Sequence, residues 1–125
     1  WCGKRGCLET YISGSGLEKQ YTERTGKKLS AKEIFSSRTK IAIEIKKSFY
    51  DAYGRGIANI CNIIDPDIIV VGGGLSNEPT LYSLGIESVR KHFFSDQLET
   101  KIVRNSLGDS AGVLGAAILS KNLVF

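Results

Sequence analysis

Apolar residues recur every three or four positions between residues 39 and 64, and this periodicity predicts the longest helix of the chain. Gly54 and Gly56 fall inside it, and each costs a helix interior about 1 kcal/mol relative to alanine. Close approach of a second backbone or of a ligand offsets such a cost, and tight helix packing is the favoured explanation. Cys61 has apolar neighbours and is predicted to lie in the core. The expected buried stripe consists of Ile41, Ile45, Phe49, Ala52, Gly56, Ile60 and Ile63.

The segment before this helix carries two further helix signals. Residues 7–26 show helical spacing that the Ser-Gly-Ser-Gly run at 13–16 interrupts, so a break or close packing is expected there. Ser30 is followed three positions later by Glu33, which is the pattern of a capping box. A short helix is therefore expected directly after Ser30.

The segment after the long helix changes its pattern. A continuous β-branched run at 68–71 predicts a strand that is buried on both faces of a parallel sheet. Pro79 suits the first turn of a following helix that reaches about residue 94, with Asn77 as its candidate cap. A second short strand is expected at 101–104.

A closing helix rich in small residues is predicted to start at Asp109 or Ser110, and Asp109 is interpreted first as its cap. The order helix, strand, helix, strand, helix is that of an α/β unit. Two strands alone make a marginal sheet, and the chain contains no methionine. We therefore expect the remaining strands to lie upstream of Trp1.

Composition narrows the classes of function. Apolar residues make up 42% and charged residues 24%, which is ordinary for a globular domain, and no apolar run approaches the roughly 20 residues of a membrane span. The net charge of +4 comes from 17 basic and 13 acidic residues that are interspersed, which does not favour nucleic-acid binding. Three cysteines without a framework pattern predict a reducing, cytoplasmic location.

The glycine triplet Gly72, Gly73 and Gly74 follows the first predicted strand directly. Glycines at such a position let backbone N–H groups approach a ligand, and ligands of open α/β sheets bind beyond the carboxyl ends of the strands. The triplet lacks the Gly-Lys-Ser/Thr of a Walker A loop and the spacing of a dinucleotide fingerprint. A plain tight turn and a binding loop therefore remain equally good interpretations.

Cys2 and Cys7 flank a Gly-Lys-Arg-Gly loop at the start of the chain, as the ligands of a metal-binding knuckle do. A structural zinc ion needs four ligands, and the single histidine, His92, lies far along the chain. Only a partial zinc site is therefore predicted. Glu9, just after this loop, suits the first turn of a helix or a contact to substrate hydroxyls, and the helix role is favoured on physical grounds.

Together, these stretches resemble the ROK family of bacterial sugar kinases and repressors. The resemblance covers essentially the whole chain and rests on four motifs. Its fructokinase and N-acetylglucosamine kinase branch is the most similar. Leu107 and Leu114 stand where that branch often has histidine and arginine, so the resemblance does not determine the sugar substrate. The motifs are WCGKRGCLE, ETYISGSGL, DPDIIVVGGGLSN and LGDSAGVLGAAIL.

The resemblance implies an actin-like ATPase fold, of which residues 1–125 form a partial, mainly helical RNase H-like C-terminal domain with two parallel strands. The N-terminal domain and the first strands of this domain would be absent. It implies transfer of the γ-phosphoryl group of ATP to a sugar, with Mg²⁺, by a homodimer that binds neither nucleic acid nor membrane. The base aspartate is expected upstream, so no catalytic residue is predicted in this chain, which should be inactive alone.

Carried onto this sequence, the resemblance makes Cys2 and Cys7 zinc ligands and Glu9 a sugar-hydroxyl contact. It places Gly72, Gly73 and Gly74 beside the nucleotide. Two alternatives belong to other classes: the sugar-binding part of a ROK repressor with a DNA-binding segment far upstream, and a non-catalytic assembly module.

Overall fold

The computed structural model describes residue 3, residues 6–108 and residues 110–122. Its elements follow the order that the hydrophobic pattern predicts, with two single turns of 3₁₀ helix after the first strand. The helices and strands are α1 (Glu9–Ile12), α2 (Gly14–Thr25), α3 (Ala31–Ser36), α4 (Lys40–Ile64), β1 (Ile68–Val71), the 3₁₀ turns Gly74–Asn77 and Pro79–Tyr82, α5 (Leu84–His92), β2 (Lys101–Arg104) and α6 (Ala111–Asn122).

Helix α4 is the central element of the hydrophobic core. Its cap is Thr39, whose hydroxyl accepts a hydrogen bond from the Ala42 N–H, and it ends at Asp65, which is left-handed at φ +50° before a proline. The predicted stripe is confirmed in its first half but is wrong at its end, where Ile60 and Ile63 are 39% and 83% exposed. The buried face there consists instead of Ile57, Ala58 and Cys61, as the helix turns a different side to the core.

Both glycines of α4 sit at close contacts, which confirms the packing interpretation. A Cβ added at Gly54 would lie 2.3 Å from the Ser88 hydroxyl and 2.7 Å from the Ser88 carbonyl on α5. One added at Gly56 would lie 2.8 Å from the Leu8 side chain. Helix α5 therefore packs against α4 at a distance that only glycine permits.

The N-terminal helices break where the Ser-Gly-Ser-Gly run predicts. Ser13 is extended, separates α1 from α2 and caps α2 by accepting a hydrogen bond from the Gly16 N–H at 3.0 Å. The capping box of α3 is confirmed: the Ser30 hydroxyl accepts from the Glu33 N–H, and the Glu33 carboxylate accepts from the Ser30 N–H at 2.8 Å.

Strands β1 and β2 pair in parallel, with Ile68 opposite Lys101 and Val71 opposite Arg104. Burial on both faces is a wrong prediction for the described residues. Ile69 and Val71 rest on the core, whereas Ile68 and Val70 are 50% and 58% exposed, because the described elements cover only one face of the pair.

The stretch after β1 departs from the single helix that the sequence predicts. Pro79–Tyr82 forms one 3₁₀ turn, and Ser83 (φ −121°, ψ −80°) separates it from α5. The cap is Glu78, whose carboxylate accepts the Thr80 N–H at 3.1 Å, and not Asn77. Asn77 is used elsewhere, because its side chain reaches back to the glycine turn.

Helix α6 follows β2 and is apolar on its surface. No helix in the described part of the chain is long and apolar enough to cross a membrane. The exposed apolar side chains of α6 are Val113, Leu114, Ile118 and Leu119.

Candidate functional site

The glycine turn at the carboxyl end of β1 is open to solvent. Gly72, Gly73 and Gly74 are all exposed, and a Cβ placed on any of them would meet no described atom within 4 Å. Gly73 has φ +73° and ψ −179°, a region that is essentially restricted to glycine. The turn thus presents bare backbone, at the edge of the sheet where α/β folds bind ligands.

Two recesses adjoin this turn. One, of about 380 Å³, is lined by the turn itself, the last residues of β1 and the α1–α2 junction. The other, of about 700 Å³, runs from Gly74 and Leu75 to the starts of α2 and α3. Both share Gly14, Gly74 and Leu75, so we treat them as one feature, the glycine-turn cleft. Further lining residues of its larger part are Ser15, Glu18, Ser30, Ala31, Lys32, Phe35, Ser36, Asn77, Glu78 and Pro79.

The helical wall of the cleft is fixed by close contacts. A Cβ added at Gly14 would lie 3.5 Å from the Ala31 Cβ and 4.0 Å from the Leu75 side chain, so an added methyl group would just reach van der Waals contact with both. The Glu18 carboxylate accepts a hydrogen bond from the Ala31 N–H at 2.9 Å and ties α2 to the first residue of α3. The starts of α2 and α3 are therefore held together along this wall.

The glycine turn is anchored at both ends. The Asn105 amide donates to the Val71 carbonyl at 3.2 Å and to the Ser76 hydroxyl at 3.1 Å. The Asn77 amide donates to the Gly74 carbonyl at 3.2 Å, and the Arg104 guanidinium donates to the Asn77 side-chain oxygen. These bonds tie the turn to the end of β2.

Two tyrosines lie close to the glycine turn: Tyr53 lines the smaller recess, and Tyr82 is bonded to Ser76, just after the turn. Burial raises the pKa of Tyr53 to about 12, and its hydroxyl has no hydrogen-bond partner among the described residues. Burial also raises the pKa of Tyr82, whose hydroxyl donates to the Ser76 carbonyl at 2.8 Å. Both phenols are therefore neutral at pH 7 and contribute no charge to the cleft.

The structure brings only some of the predicted site residues together. Gly72, Gly73 and Gly74 line the cleft, with Gly74 at the junction of its two parts. Glu9 is the exposed first residue of α1 and lines neither recess. Cys7 is an exposed free thiol just before α1, and Cys2 lies outside the described residues, as does Asp109.

Metal ligation finds little support in the described part of the chain. Among those residues, no group of three or more His, Cys, Asp or Glu side chains is placed to hold an ion. One exposed thiol does not fit the four-ligand requirement of structural zinc, so we derive no step through a metal.

Several residues that line the cleft or anchor its glycine turn carried no sequence signal of their own. Glu18 and Arg104 look like ordinary surface charges in the sequence, and only the fold shows what they contact. The Ser-Gly-Ser-Gly run was the available clue to the wall, since it predicted a break or close packing at residues 13–16. Asn105 directly follows a strand, a position from which a polar side chain can reach a neighbouring loop.

Comparison with known proteins adds the family. A model of the ROK family matches residues 1–123. The chain belongs to the ROK family. N-acetyl-D-glucosamine kinase from Mannheimia succiniciproducens is 40% identical over 121 residues, which cover 94% of this chain and 40% of that protein. The enzyme of the same name from Vibrio cholerae is 38% identical over 122 residues, covering 95% of this chain and 40% of that protein.

Solved structures of ROK proteins share the fold. A ROK family glucokinase from Streptomyces griseus, in complex with glucose and AMPPNP, superposes with a TM-score of 0.79 at 24% identity, over 97% of this chain and 46% of that one. A ROK hexokinase from Thermus thermophilus gives the same TM-score at 27% identity, over 94% and 41%. The expected α/β, actin-like ATPase fold class is thereby confirmed. The ROK chain spans about 40% of the length of the curated relatives it matches.

Proposed function

We propose that the complete protein carrying this ROK chain is an ATP-dependent sugar kinase. N-acetylglucosamine is its first candidate substrate, and glucose, fructose and mannose follow. The observation that carries the proposal is the open glycine turn at the mouth of the cleft. Support comes from relatives at 40% identity that are named N-acetyl-D-glucosamine kinases and from the AMPPNP complex of a protein with this fold.

Within the cleft, the chain's own residues would hold the nucleotide. Leu75, Ala31 and Pro79 give apolar surface on which a flat base packs, and the three bare glycines let a ribose or phosphate approach the backbone. ATP itself supplies the phosphoryl group that is passed to a sugar hydroxyl. The described residues bind and orient, and positioning is a large share of phosphoryl-transfer catalysis. The base that receives the hydroxyl proton is proposed to lie in another segment of the protein.

Glu9 is proposed to contact a sugar hydroxyl. Its carboxylate is exposed and has no hydrogen bond or ion pair to any residue of the described part. A carboxylate in that state is available to accept hydrogen bonds from a ligand. Glu9 lies on α1, one helical turn before Ser13 and Gly14, which line the smaller recess.

The two-stranded sheet is proposed to be part of a larger one. Ile68 and Val70 are half exposed although β-branched, and a two-stranded sheet is marginal on its own. Further strands and a second domain, supplied by the rest of the protein, would cover them and complete the kinase. The described residues alone are then expected to be inactive.

The remaining expectations concern metals, assembly and location. Cys2 and Cys7 are proposed to share one zinc ion with upstream ligands, Mg²⁺ is proposed to accompany ATP, and the protein is proposed to be a cytoplasmic homodimer. Metal analysis and the mass in solution of the purified complete protein test the zinc and the dimer, with about one zinc per chain expected.

A sugar panel tests the proposed function. The complete protein is incubated with ATP, Mg²⁺ and each of the four sugars, and both ADP and the sugar phosphate are measured. ATP-dependent phosphorylation of at least one sugar is expected, with N-acetylglucosamine used best. Sugar binding without ADP formation for any of the four would contradict the kinase and favour the repressor alternative.

A further inference from the structure

The glycine turn has no side-chain contacts of its own that would hold it in one conformation. Gly72, Gly73 and Gly74 carry no side chains, and glycine loses more conformational entropy on ordering than any other residue. No described atom lies within 4 Å of where their side chains would start. The turn must therefore be held from its two ends.

One end is held by the residue that follows β2. The Asn105 backbone N–H donates to the Val71 carbonyl at 3.0 Å, and its side-chain amide donates to the same carbonyl at 3.2 Å and to Ser76. Ser76 is itself buried, and its N–H donates to the Gly73 carbonyl at 3.0 Å. At this end the backbone bond from residue 105 to Val71 would persist with any residue except proline at that position.

The other end depends on a relay of two side chains. The Arg104 guanidinium donates to the side-chain oxygen of Asn77, and the Asn77 amide donates to the Gly74 carbonyl at 3.2 Å. Gly74 is one of the three residues that line both parts of the cleft. Arg104 is itself exposed, and its positive charge opposes the rise that burial causes in the pKa of Tyr82, so the guanidinium lies close to that phenol.

We propose that Arg104 is a positioning residue for the nucleotide. Acting through Asn77, it fixes the Gly74 carbonyl and so holds the glycine turn open toward the cleft. The inference rests on the proposed nucleotide role of that turn. Because Arg104 acts on the turn that is proposed to bind the nucleotide, its loss is expected to weaken nucleotide binding and to leave sugar binding unchanged.

The test uses the complete protein with Arg104→Ala, Arg104→Lys, Asn77→Ala and the double variant. Lys101→Ala is the matched control, since Lys101 is an exposed cation on the same strand whose side chain has no hydrogen bond or ion pair in the described part of the chain. Steady-state kinetics give the KM for ATP, the KM for the sugar and kcat. Arg104→Ala is expected to raise the KM for ATP about tenfold, which corresponds to about 1.4 kcal/mol, as for the loss of one charge-assisted hydrogen bond.

The KM for the sugar is expected to change less than about twofold in each variant. The Lys101→Ala variant is expected to have the same KM values and kcat as the unaltered protein. Arg104→Lys should recover part of the ATP KM. The double variant should be no worse than the poorer single variant, since residues in one network are not additive. An unchanged ATP KM in Arg104→Ala, or additive effects of the two substitutions, would overturn the relay.

Amide hydrogen exchange separates this inference from the proposed function, because it needs no activity. Faster exchange at residues 72–76 is expected in Arg104→Ala and in Asn77→Ala, but not in Lys101→Ala. If the complete protein phosphorylates no sugar, the proposed function fails, and exchange still decides whether Arg104 holds the turn. Unchanged exchange in Arg104→Ala would overturn the inference, whatever the activity.

Discussion

At the scale of single residues, the shape of the cleft depends on a few backbone conformations that only particular amino acids can adopt. Gly73 combines φ +73° with ψ −179°, whereas its neighbour Gly72 has no such conformation, and both have open space where a side chain would start. The two glycines therefore separate the effect of backbone strain from the effect of added bulk.

Gly73→Ala is expected to cost about 1 to 3 kcal/mol of strain and to disturb the turn that is proposed to bind nucleotide. Thermal unfolding and the KM for ATP are the measurements, and both should worsen. Gly72→Ala is the matched control and should leave the unfolding temperature nearly unchanged. Equal effects of the two substitutions would show that conformation at Gly73 is not what the turn requires.

Glu9→Gln is expected to raise the sugar KM while the KM for ATP stays within about twofold, because a carboxylate accepts stronger hydrogen bonds than an amide. Glu99→Gln is the control, since Glu99 is an exposed carboxylate of the described part without a partner. A sugar KM unchanged in Glu9→Gln would leave Glu9 with its helix-terminus role only.

Tyr53 makes a prediction about alkaline stability. Its pKa is about 12 in the folded chain because of burial, against about 10 for an exposed phenol. Between these values the unfolded chain loses a proton that the folded chain keeps, so the free energy of unfolding falls as pH rises from about 10 to 12.

Tyr53→Phe removes this loss, and because the hydroxyl has no described partner, the substitution should cost little at pH 7. Unfolding by urea at pH 7 and pH 11 measures both effects. Tyr82→Phe, which gives up a hydrogen bond to Ser76, should cost about 1 kcal/mol at pH 7. A Tyr53→Phe variant that is as sensitive to pH 11 as the unaltered protein would contradict the assignment.

At the scale of elements, the sequence pattern predicted the local structure of most segments, that is, where helices begin, break and end. The span of α4 follows from apolar residues at helical spacing, and the break at Ser13 and the box at Ser30 follow from cap chemistry. The pattern could not predict which side chains are buried, because burial depends on the elements that pack nearby. Ile60 and Ile63 continue the period yet are exposed, because burial depends on which elements pack there.

The same distinction explains the candidate site. The glycine triplet is visible as a local pattern, whereas the roles of Glu18 and Arg104 arise from contacts across 13 and 27 positions of the chain, to Ala31 and Asn77. No local rule encodes such pairs. The cleft therefore could be predicted at its turn but not at its walls.

Helix packing gives the prediction at this scale. Gly54→Ala would place a methyl group 2.3 to 2.7 Å from Ser88, partly against backbone atoms that cannot rotate away, and should cost about 1 to 3 kcal/mol. Gly112→Ala in α6 is the control, because its added methyl meets no described atom within 4 Å and it gains about 1 kcal/mol of helix propensity. Urea unfolding measures both, and a Gly54→Ala variant as stable as the unaltered protein would contradict the tight α4–α5 contact.

At the scale of the whole molecule, the described core is one-sided. The helices α2 to α5 bury one face of the sheet, while the other face and α6 display apolar side chains to solvent. The curated relatives are about two and a half times as long as this chain. The corresponding additional segments of the complete protein are the proposed cover for these apolar surfaces. The glycine-turn cleft lies within the described residues, so its proposed role in nucleotide binding can be tested on them directly.

The placement of the nucleotide is tested most directly by crosslinking. The complete protein is irradiated with 2-azido-ATP, and the labelled peptides are identified by mass spectrometry, with excess ATP as competitor. Labelling that ATP suppresses is expected within residues 14–18, 30–36 or 72–79, which line the cleft. ATP-sensitive labelling confined to other segments would contradict the assignment of this cleft as the nucleotide site of a ROK sugar kinase.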